Sequence, residues 1–221
     1  MTVDETTLRR AVIDTAVAMN AAGINRGKSG NVSARHATAG FTGYLITPSG
    51  LPYARTVPDD IVAMPLDGDE GAAIGRLPPS SEWRIHRDVY RARPDVGAIV
   101  HAHPPYATTL ACHQRGIPAF HYMIAVAGDR DIRCAPYATF GTQELSAHAV
   151  AALAGRRACL LAHHGMLALG GDLESALALA VEVEALAEMY WHALQLGEPP
   201  RLDDAEMDRV IAKFATYGVK R

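Results

Sequence analysis

A strand that ends in two histidines is the feature that most constrains the fold of this chain. Residues 97–104 read GAIVHAHP, and their dense apolar character is typical of a strand buried inside a sheet. Side chains alternate along a strand, so His101 and His103 project from the same face and can bind one metal ion together. The alternative is that both rings bond to backbone carbonyls.

Helical and strand-like segments interleave along the whole chain, which predicts an α/β fold. The glycine-rich residues 23–33 are expected to be loops that lead into the sheet. Predicted helices cover 5–22, 80 to about 94, 105–114, 142–153, 173–196 and 203–215, and predicted strands cover 44–47, 97–104, 119–126 and 158–164.

Composition limits the classes of protein that this chain can belong to. It has 221 residues, of which 49% are apolar, enough for one core, so residues 1–221 are predicted to form a single domain. The 21 basic and 24 acidic residues are mixed along the chain, which argues against nucleic acid or a membrane surface as a partner. Without a signal-peptide pattern or a membrane-spanning run, we expect a cytoplasmic protein.

A second pair of histidines, His163 and His164, also follows an apolar run. Neighbouring strand residues point to opposite faces, so at most one of the two is expected to meet the same ion. Three histidines are typical of a catalytic zinc site that keeps one position open. Glu82 is the best carboxylate candidate, although a helix-capping role at the surface is the alternative. The three cysteines are widely spaced and are expected to be reduced thiols.

Two segments rich in small residues are candidates for binding a phosphate group. They are GKSGNVS at 27–33 and TPSG at 47–50. Small residues let backbone N–H groups converge on an anion, although most such loops are only turns.

Taken in order, the segments GNVS, TPSG, LPPSSEW, VHAHP, FHYMIA, APYATFGT and LLAHHG resemble the class II aldolase/adducin family. The resemblance covers nearly the whole chain. It implies a single α/β domain with a central, mainly antiparallel sheet flanked by helices in three layers. It also implies a homotetramer with active sites between neighbouring subunits.

The same resemblance assigns roles to particular residues. It implies a Zn²⁺ ion, with Co²⁺ or Mn²⁺ as alternatives, near a glutamate that also acts in catalysis, and a catalytic tyrosine from a neighbouring subunit. The metal positions are Glu82, His101, His103 and His164; the phosphate positions are Asn31, Ser49, Gly50, Ser80 and Ser81; the catalytic tyrosine is Tyr122; and Phe140 and Tyr217 lie near the aldehyde.

The function implied is cleavage of a phosphorylated sugar. The substrate expected is a ketose 1-phosphate similar to L-fuculose 1-phosphate, and the products are dihydroxyacetone phosphate and a short aldehyde such as L-lactaldehyde. Alternatives are ribulose 1-phosphate or a deoxyribulose 1-phosphate as substrate, or an epimerase, dehydratase or decarboxylase on the same fold. A non-catalytic scaffold like adducin is a further alternative, disfavoured because all four metal positions are present.

Overall fold

The computed structural model describes residues 4–214 and residue 216, and its helices and strands interleave as predicted. The helices are α1 (Glu5–Ala21), α2 (Trp83–Ala92), α3 (Pro105–Cys112), α4 (Gln143–Ala152), α5 (Leu173–Ala193) and α6 (Asp204–Phe214). The strands are β1 (Asn31–Thr38), β2 (Phe41–Ile46), β3 (Val62–Pro65), β4 (Ala98–Ala102), β5 (Arg133–Ala135), β6 (Ala158–Leu161) and β7 (Gly165–Gly170).

The strands form one sheet in the order β3-β2-β1-β4-β7-β6-β5. Neighbouring strands are antiparallel except for the parallel pair β5 and β6. The predicted α/β class with a mainly antiparallel sheet is therefore confirmed.

Helices cover both faces of this sheet and produce three layers. One core contains α1, α3 and α5, with Val12, Leu110 and Leu179 packed among the strands. The other core contains α2 and α4, with Trp83 and Leu145. Because β4 lies between these two cores, all five of its residues are buried, which explains its apolar sequence. Within residues 4–214, every helix falls short of the combined length and apolar character that crossing a bilayer requires.

Three predictions of local structure are wrong or incomplete. The strand predicted at 119–126 is instead a short 3₁₀ helix, Tyr122–Ala127, that begins where the His121 ring accepts a hydrogen bond from the N–H of Met123. The strand predicted at 158–164 ends at Leu161, where the chain turns into β7. Finally, the loops expected over residues 23–33 end earlier than predicted, because residues 31–33 already belong to β1.

The antiparallel pairing brings three chain segments to one edge of the sheet. There β1 begins at Asn31, β4 ends just beyond His101, and β7 begins at Gly165. Asn31 lies opposite His101 in the register of β1 and β4, and Ala102 lies opposite Met166 in β4 and β7. Polar residues that are far apart in sequence therefore meet at this edge.

Candidate active site and metal centre

Three histidine rings converge at this edge of the sheet. One ring nitrogen from each of His101, His103 and His164 lies within 4.8 Å of the others. The Nε2 atoms of His101 and His103 are 2.9 Å apart. The structure thus brings together the three histidines predicted from sequence, and their role as metal ligands stays a prediction.

His101 is held in one orientation by the neighbouring strand. Its Nδ1 donates a hydrogen bond of 2.9 Å to the carbonyl of Met166, and its side chain is fully buried. Because a carbonyl can only accept, Nδ1 carries a proton and Nε2 is the ring nitrogen that faces the other two rings. The hydrogen bond to Met166 therefore fixes the ring so that Nε2 points into the cluster.

Glu82 lies at the N-terminal end of α2 but does not cap it. Its side chain makes no hydrogen bond to the first helical amides. Instead, Oε2 lies 2.9 Å from Nε2 of His101, and Oε1 lies 3.3 Å from Nε2 of His164. The residue is only 4% exposed, so the alternative of a capping carboxylate at the surface is wrong.

The turn between β6 and β7 separates the two adjacent histidines. His163 has a positive φ of 55°, its side chain is exposed, and its ring packs edge-on against Tyr137 at 5.8 Å. His164 points into the cluster. A Cβ atom on Gly165 would lie 2.4 Å from the Ala102 carbonyl oxygen and 2.6 Å from the His103 ring, so this position requires glycine for β7 to begin here.

The charges in the cluster support one another. Burial alone raises the pKa of Glu82, but attraction to His101 and hydrogen bonds from His101 and Asn31 outweigh it, and the pKa lies well below its usual range. Burial lowers the pKa of His103 to about 3 and that of His164 to about 4, with a further contribution from His101. The pKa of His101 is raised despite burial, because the Glu82 carboxylate favours a positive charge beside it.

This donor set fits a divalent cation. Neutral His103 and His164 offer lone pairs, and the Glu82 carboxylate favours a positive charge at the centre. The buried Oε1 of Glu82 makes no hydrogen bond within the part of the chain that the structure describes. A buried carboxylate oxygen without a donor is costly unless a cation satisfies it. Imidazole and carboxylate groups are the ligands of catalytic zinc sites.

Four of the five predicted phosphate residues lie on two segments that run side by side, and the fifth, Asn31, begins β1. The N–H of Ser80 donates to the Thr47 carbonyl, and the N–H of Ser49 donates to the Pro78 carbonyl. Ser49, Gly50 and Ser81 are exposed, whereas Ser80 is buried and its Oγ accepts a hydrogen bond from the N–H of Glu82. Asn31 is also buried, and its amide group donates to Oε2 of Glu82 at 3.0 Å.

A cleft of about 430 Å³ opens onto the histidine cluster and contains residues that sequence reasoning missed. Lys28 lines it and donates a hydrogen bond of 2.7 Å to the Gly50 carbonyl, so a cation lies beside the predicted phosphate segments. The position of Lys28 in the segment GKSGNVS was the sequence signal that could have identified this residue. At the rim, Tyr137 and Ala138 lie next to Phe140, which was predicted to lie near the aldehyde.

The remaining two predicted residues lie elsewhere. Tyr122 lines a separate groove beside α6, with its ring stacked on Phe214 at 6.4 Å, and it is not among the residues that line the cleft of its own chain. Tyr217 lies outside the described residues. The structure therefore groups Phe140, but not Tyr122, with the histidine cluster.

Residues 10–191, which contain the three clustered histidines and Glu82, match the family model for the class II aldolase and adducin N-terminal domain. The chain belongs to this family. A 5-methylthioribulose-1-phosphate/5-deoxyribulose-1-phosphate aldolase of Rhodospirillum rubrum is 56% identical over 211 residues, which are 96% of this chain and 92% of the relative. An L-fuculose phosphate aldolase of Escherichia coli K12 is 48% identical over 214 residues, 96% of each chain.

The fold of the chain also matches solved structures of this family. An L-fuculose 1-phosphate aldolase superimposes with a TM-score of 0.87 at 40% identity, and the match covers 94% of this chain and 96% of the other. Together with the two relatives, this match confirms the predicted family, the three-layer fold and the enzyme class, a class II aldolase.

Proposed function

We propose that this chain cleaves a ketose 1-phosphate whose terminal carbon lacks a hydroxyl group, releasing dihydroxyacetone phosphate and a short aldehyde. The observation that carries this proposal is the buried Glu82 carboxylate in contact with His101 and His164 at the bottom of an open cleft. A carboxylate and a metal-binding cluster in one cleft provide the two groups that aldol cleavage needs, a proton carrier and an electrophile.

His101, His103 and His164 are the residues proposed to hold the metal, with Glu82 beside it. Zn²⁺ is the ion that we propose, because three imidazoles and a carboxylate suit it, although Co²⁺ and Mn²⁺ accept the same ligands. When bound, the ion acts as a Lewis acid that polarises the substrate carbonyl.

Glu82 is proposed to move the proton at C3 of the substrate. Cleavage breaks the bond between C3 and C4, leaves the electron pair on C3, and converts the C4 hydroxyl to an aldehyde. C3 therefore gains a proton, delivered by Glu82, and the C4 hydroxyl loses one, accepted by Tyr122 of a neighbouring copy. While Glu82 contacts the histidines its pKa is low, so it can hold the proton that it delivers to C3 only when bound substrate separates it from them.

The proposed phosphate pocket is bordered by Lys28 and by the two paired loop segments. Lys28 can direct two further N–H groups toward an anion besides the one bonded to Gly50. The exposed hydroxyls of Ser49 and Ser81 are the nearest candidates for additional donors, with Ser80 and Asn31 behind them. Binding energy from the phosphate aligns the bond that breaks, although the phosphate takes no part in the chemistry.

The aromatic rim favours substrates with an apolar far end. Tyr137, Ala138 and Phe140 border the cleft. The named substrates of the two relatives share this chemistry, since L-fuculose ends in a methyl group and the ribulose derivatives end in a methyl or methylthio group. The R. rubrum relative has the higher identity of the two, and for this reason the 5-deoxyribulose compounds are candidate substrates beside L-fuculose 1-phosphate.

A homotetramer in the cytoplasm is the assembly and location that we propose. Tyr122 is 49% exposed on a groove of its own chain, so a role in the reaction requires a neighbouring copy to approach the cleft. An active monomer would contradict this part of the proposal.

The experiment that tests the function measures dihydroxyacetone phosphate released by the purified protein. The substrates are L-fuculose 1-phosphate, 5-deoxyribulose 1-phosphate and 5-methylthioribulose 1-phosphate, each with and without a chelator. Release that the chelator abolishes and added Zn²⁺ restores supports the proposal. No release from any of the three by metal-loaded protein contradicts it and favours an epimerase, dehydratase or decarboxylase.

A further inference from the structure

A line of buried polar side chains runs from Glu82 away from the cleft. Asn31 Nδ2 bonds to Glu82 Oε2 at 3.0 Å, and Asn31 Oδ1 bonds to His86 Nε2. His86 Nδ1 lies 2.6 Å from the Ser33 hydroxyl, which lies 2.8 Å from the Tyr90 hydroxyl. Each of these side chains is buried, and only Asn31 and Glu82 belong to the predicted active site.

The spacing of these residues explains why they meet. Glu82, His86 and Tyr90 are separated by steps of four residues, so they lie on one face of α2 and its N-terminal end. Asn31 and Ser33 are two apart in β1, so they lie on one face of the sheet. These faces of α2 and β1 pack against each other, so successive residues along the line come alternately from the helix and from the strand.

The hydrogen bonds along this line all point in one direction. The ionised carboxylate of Glu82 can only accept, so the Asn31 NH₂ group donates to it and the Asn31 oxygen faces His86. That oxygen can only accept, so the proton of His86 lies on Nε2 and its Nδ1 accepts from Ser33. The Ser33 oxygen then accepts from Tyr90. Burial supports a neutral ring by lowering the pKa of His86 to about 3.

We propose that His86 is a positioning residue that, through Asn31, holds the Glu82 carboxylate in its working orientation. Without a donor at the Asn31 oxygen, the amide is free to rotate and present that oxygen to the carboxylate. With the donor in place, Oε2 is fixed beside His101, and Oε1, which makes no hydrogen bond among the described residues, lies 3.3 Å from Nε2 of His164. This inference rests on the proposed role of Glu82 in moving the C3 proton.

The protonation state of His86 is the first test, and it needs no activity. Histidine labelled with ¹⁵N in the full chain reports which ring nitrogen carries the proton, and the His86→Gln spectrum assigns the signal. The proposal expects a neutral ring with the proton on Nε2. A proton on Nδ1, or a doubly protonated ring at neutral pH, would overturn it.

Two variants of matched length form the second test. Glutamine at position 86 retains one donor and one acceptor, whereas methionine retains neither. For His86→Met we expect kcat to fall about 10- to 100-fold, the range typical of losing a supporting residue, with KM and metal content nearly unchanged. Exchange of the C3 proton of dihydroxyacetone phosphate falls in parallel, and His86→Gln retains most of both activities.

Equal losses in the two variants would overturn the proposal, because a packing defect does not distinguish donor from non-donor. If His86→Met fails to fold, Ser33→Ala replaces it, since it removes the donor to Nδ1 but keeps the ring. A lower kcat at constant KM in this variant supports the proposal, and an unchanged kcat overturns it. Wild-type protein that cleaves no ketose phosphate contradicts the proposed function instead, whichever nitrogen of His86 carries the proton.

Discussion

The two ends of the cleft are built in different ways. At the inner end, Glu82 is 4% exposed and His101 is fully buried; Glu82 accepts a hydrogen bond from Asn31 in β1, and His101 donates one to Met166 in β7. At the outer end, Phe140 is 65% exposed and Tyr137 is 57% exposed, and both lie in loops. The inner end is therefore preorganised, whereas the outer end presents apolar surface to solvent.

This difference assigns separate tasks to the two ends. Proton transfer needs groups held to within a fraction of an ångström, which the sheet and α2 provide. Discrimination between short aldehydes depends on a few apolar contacts, which loops can supply and vary without disturbing the sheet. Substitutions at the inner end should therefore change the reaction itself, and substitutions at the rim should change only the preference among substrates.

The largest effect is expected for Glu82→Gln. The amide keeps the size of the side chain but cannot carry the proton, so cleavage should fall by about 10²- to 10⁴-fold. Proton exchange at C3 of dihydroxyacetone phosphate, followed by NMR in D₂O, should be lost to the same degree, while metal content stays at the wild-type level. Rapid exchange in this variant would show that another group moves the proton.

The next largest effect is expected for His164→Ala, with the adjacent His163→Ala as its matched control. Of these two residues only His164 faces the cluster, so its removal should weaken metal binding by more than about 100-fold. The loss of a residue that merely supports a metal ligand weakens metal binding by less than this. Competition with a chromophoric chelator measures the affinity. His163→Ala should bind metal as the wild type does, and equal weakening in both would refute the assignment of His164.

The inner end was the more predictable of the two. His101 and His103 alternate at the end of an apolar run, and that pattern is sufficient to place both on one face of a buried strand. The spacing could not decide between His163 and His164, because the choice depends on a turn with positive φ that the chain adopts only after β6 ends. Resemblance to the family supplied that choice.

Other features could not be predicted because they depend on tertiary contacts. β1 contains polar residues, and Ser33 is buried there only because α2 supplies His86 and Tyr90 as partners. The 119–126 segment is apolar and rich in β-formers, but no strand of the described part of the chain pairs with it, and residues 122–127 form a 3₁₀ helix instead. The four-residue steps from Glu82 to His86 and Tyr90 were the signal that could have revealed the polar line.

A moderate effect is expected for Lys28→Met, in the proposed phosphate pocket. The loss of one charged donor from the phosphate pocket should raise KM for a ketose 1-phosphate about tenfold, about 1.4 kcal/mol, with little change in kcat. Steady-state kinetics at several salt concentrations provide the measurement, since the wild-type KM should rise with ionic strength more than that of the variant. Arg26→Met is the matched control, because it removes one charge at an exposed position that is not among the residues lining the cleft, and it should leave KM near the wild-type value. An unchanged KM for Lys28→Met would remove this residue from the pocket.

The smallest effect is expected for Phe140→Ala at the rim. An exposed ring contributes only part of its apolar area to a bound substrate, so its loss should cost about 1 kcal/mol, or about fivefold in kcat/KM. The loss should be greater for 5-methylthioribulose 1-phosphate than for 5-deoxyribulose 1-phosphate, because the longer substituent reaches further along the rim. Leu196→Ala, at an exposed position that is not among the residues lining the cleft, is the control and should leave the ratio of the two substrates unchanged. A parallel loss on both substrates, accompanied by slower C3 proton exchange, would instead tie Phe140 to the chemistry and remove the division between the two ends of the cleft.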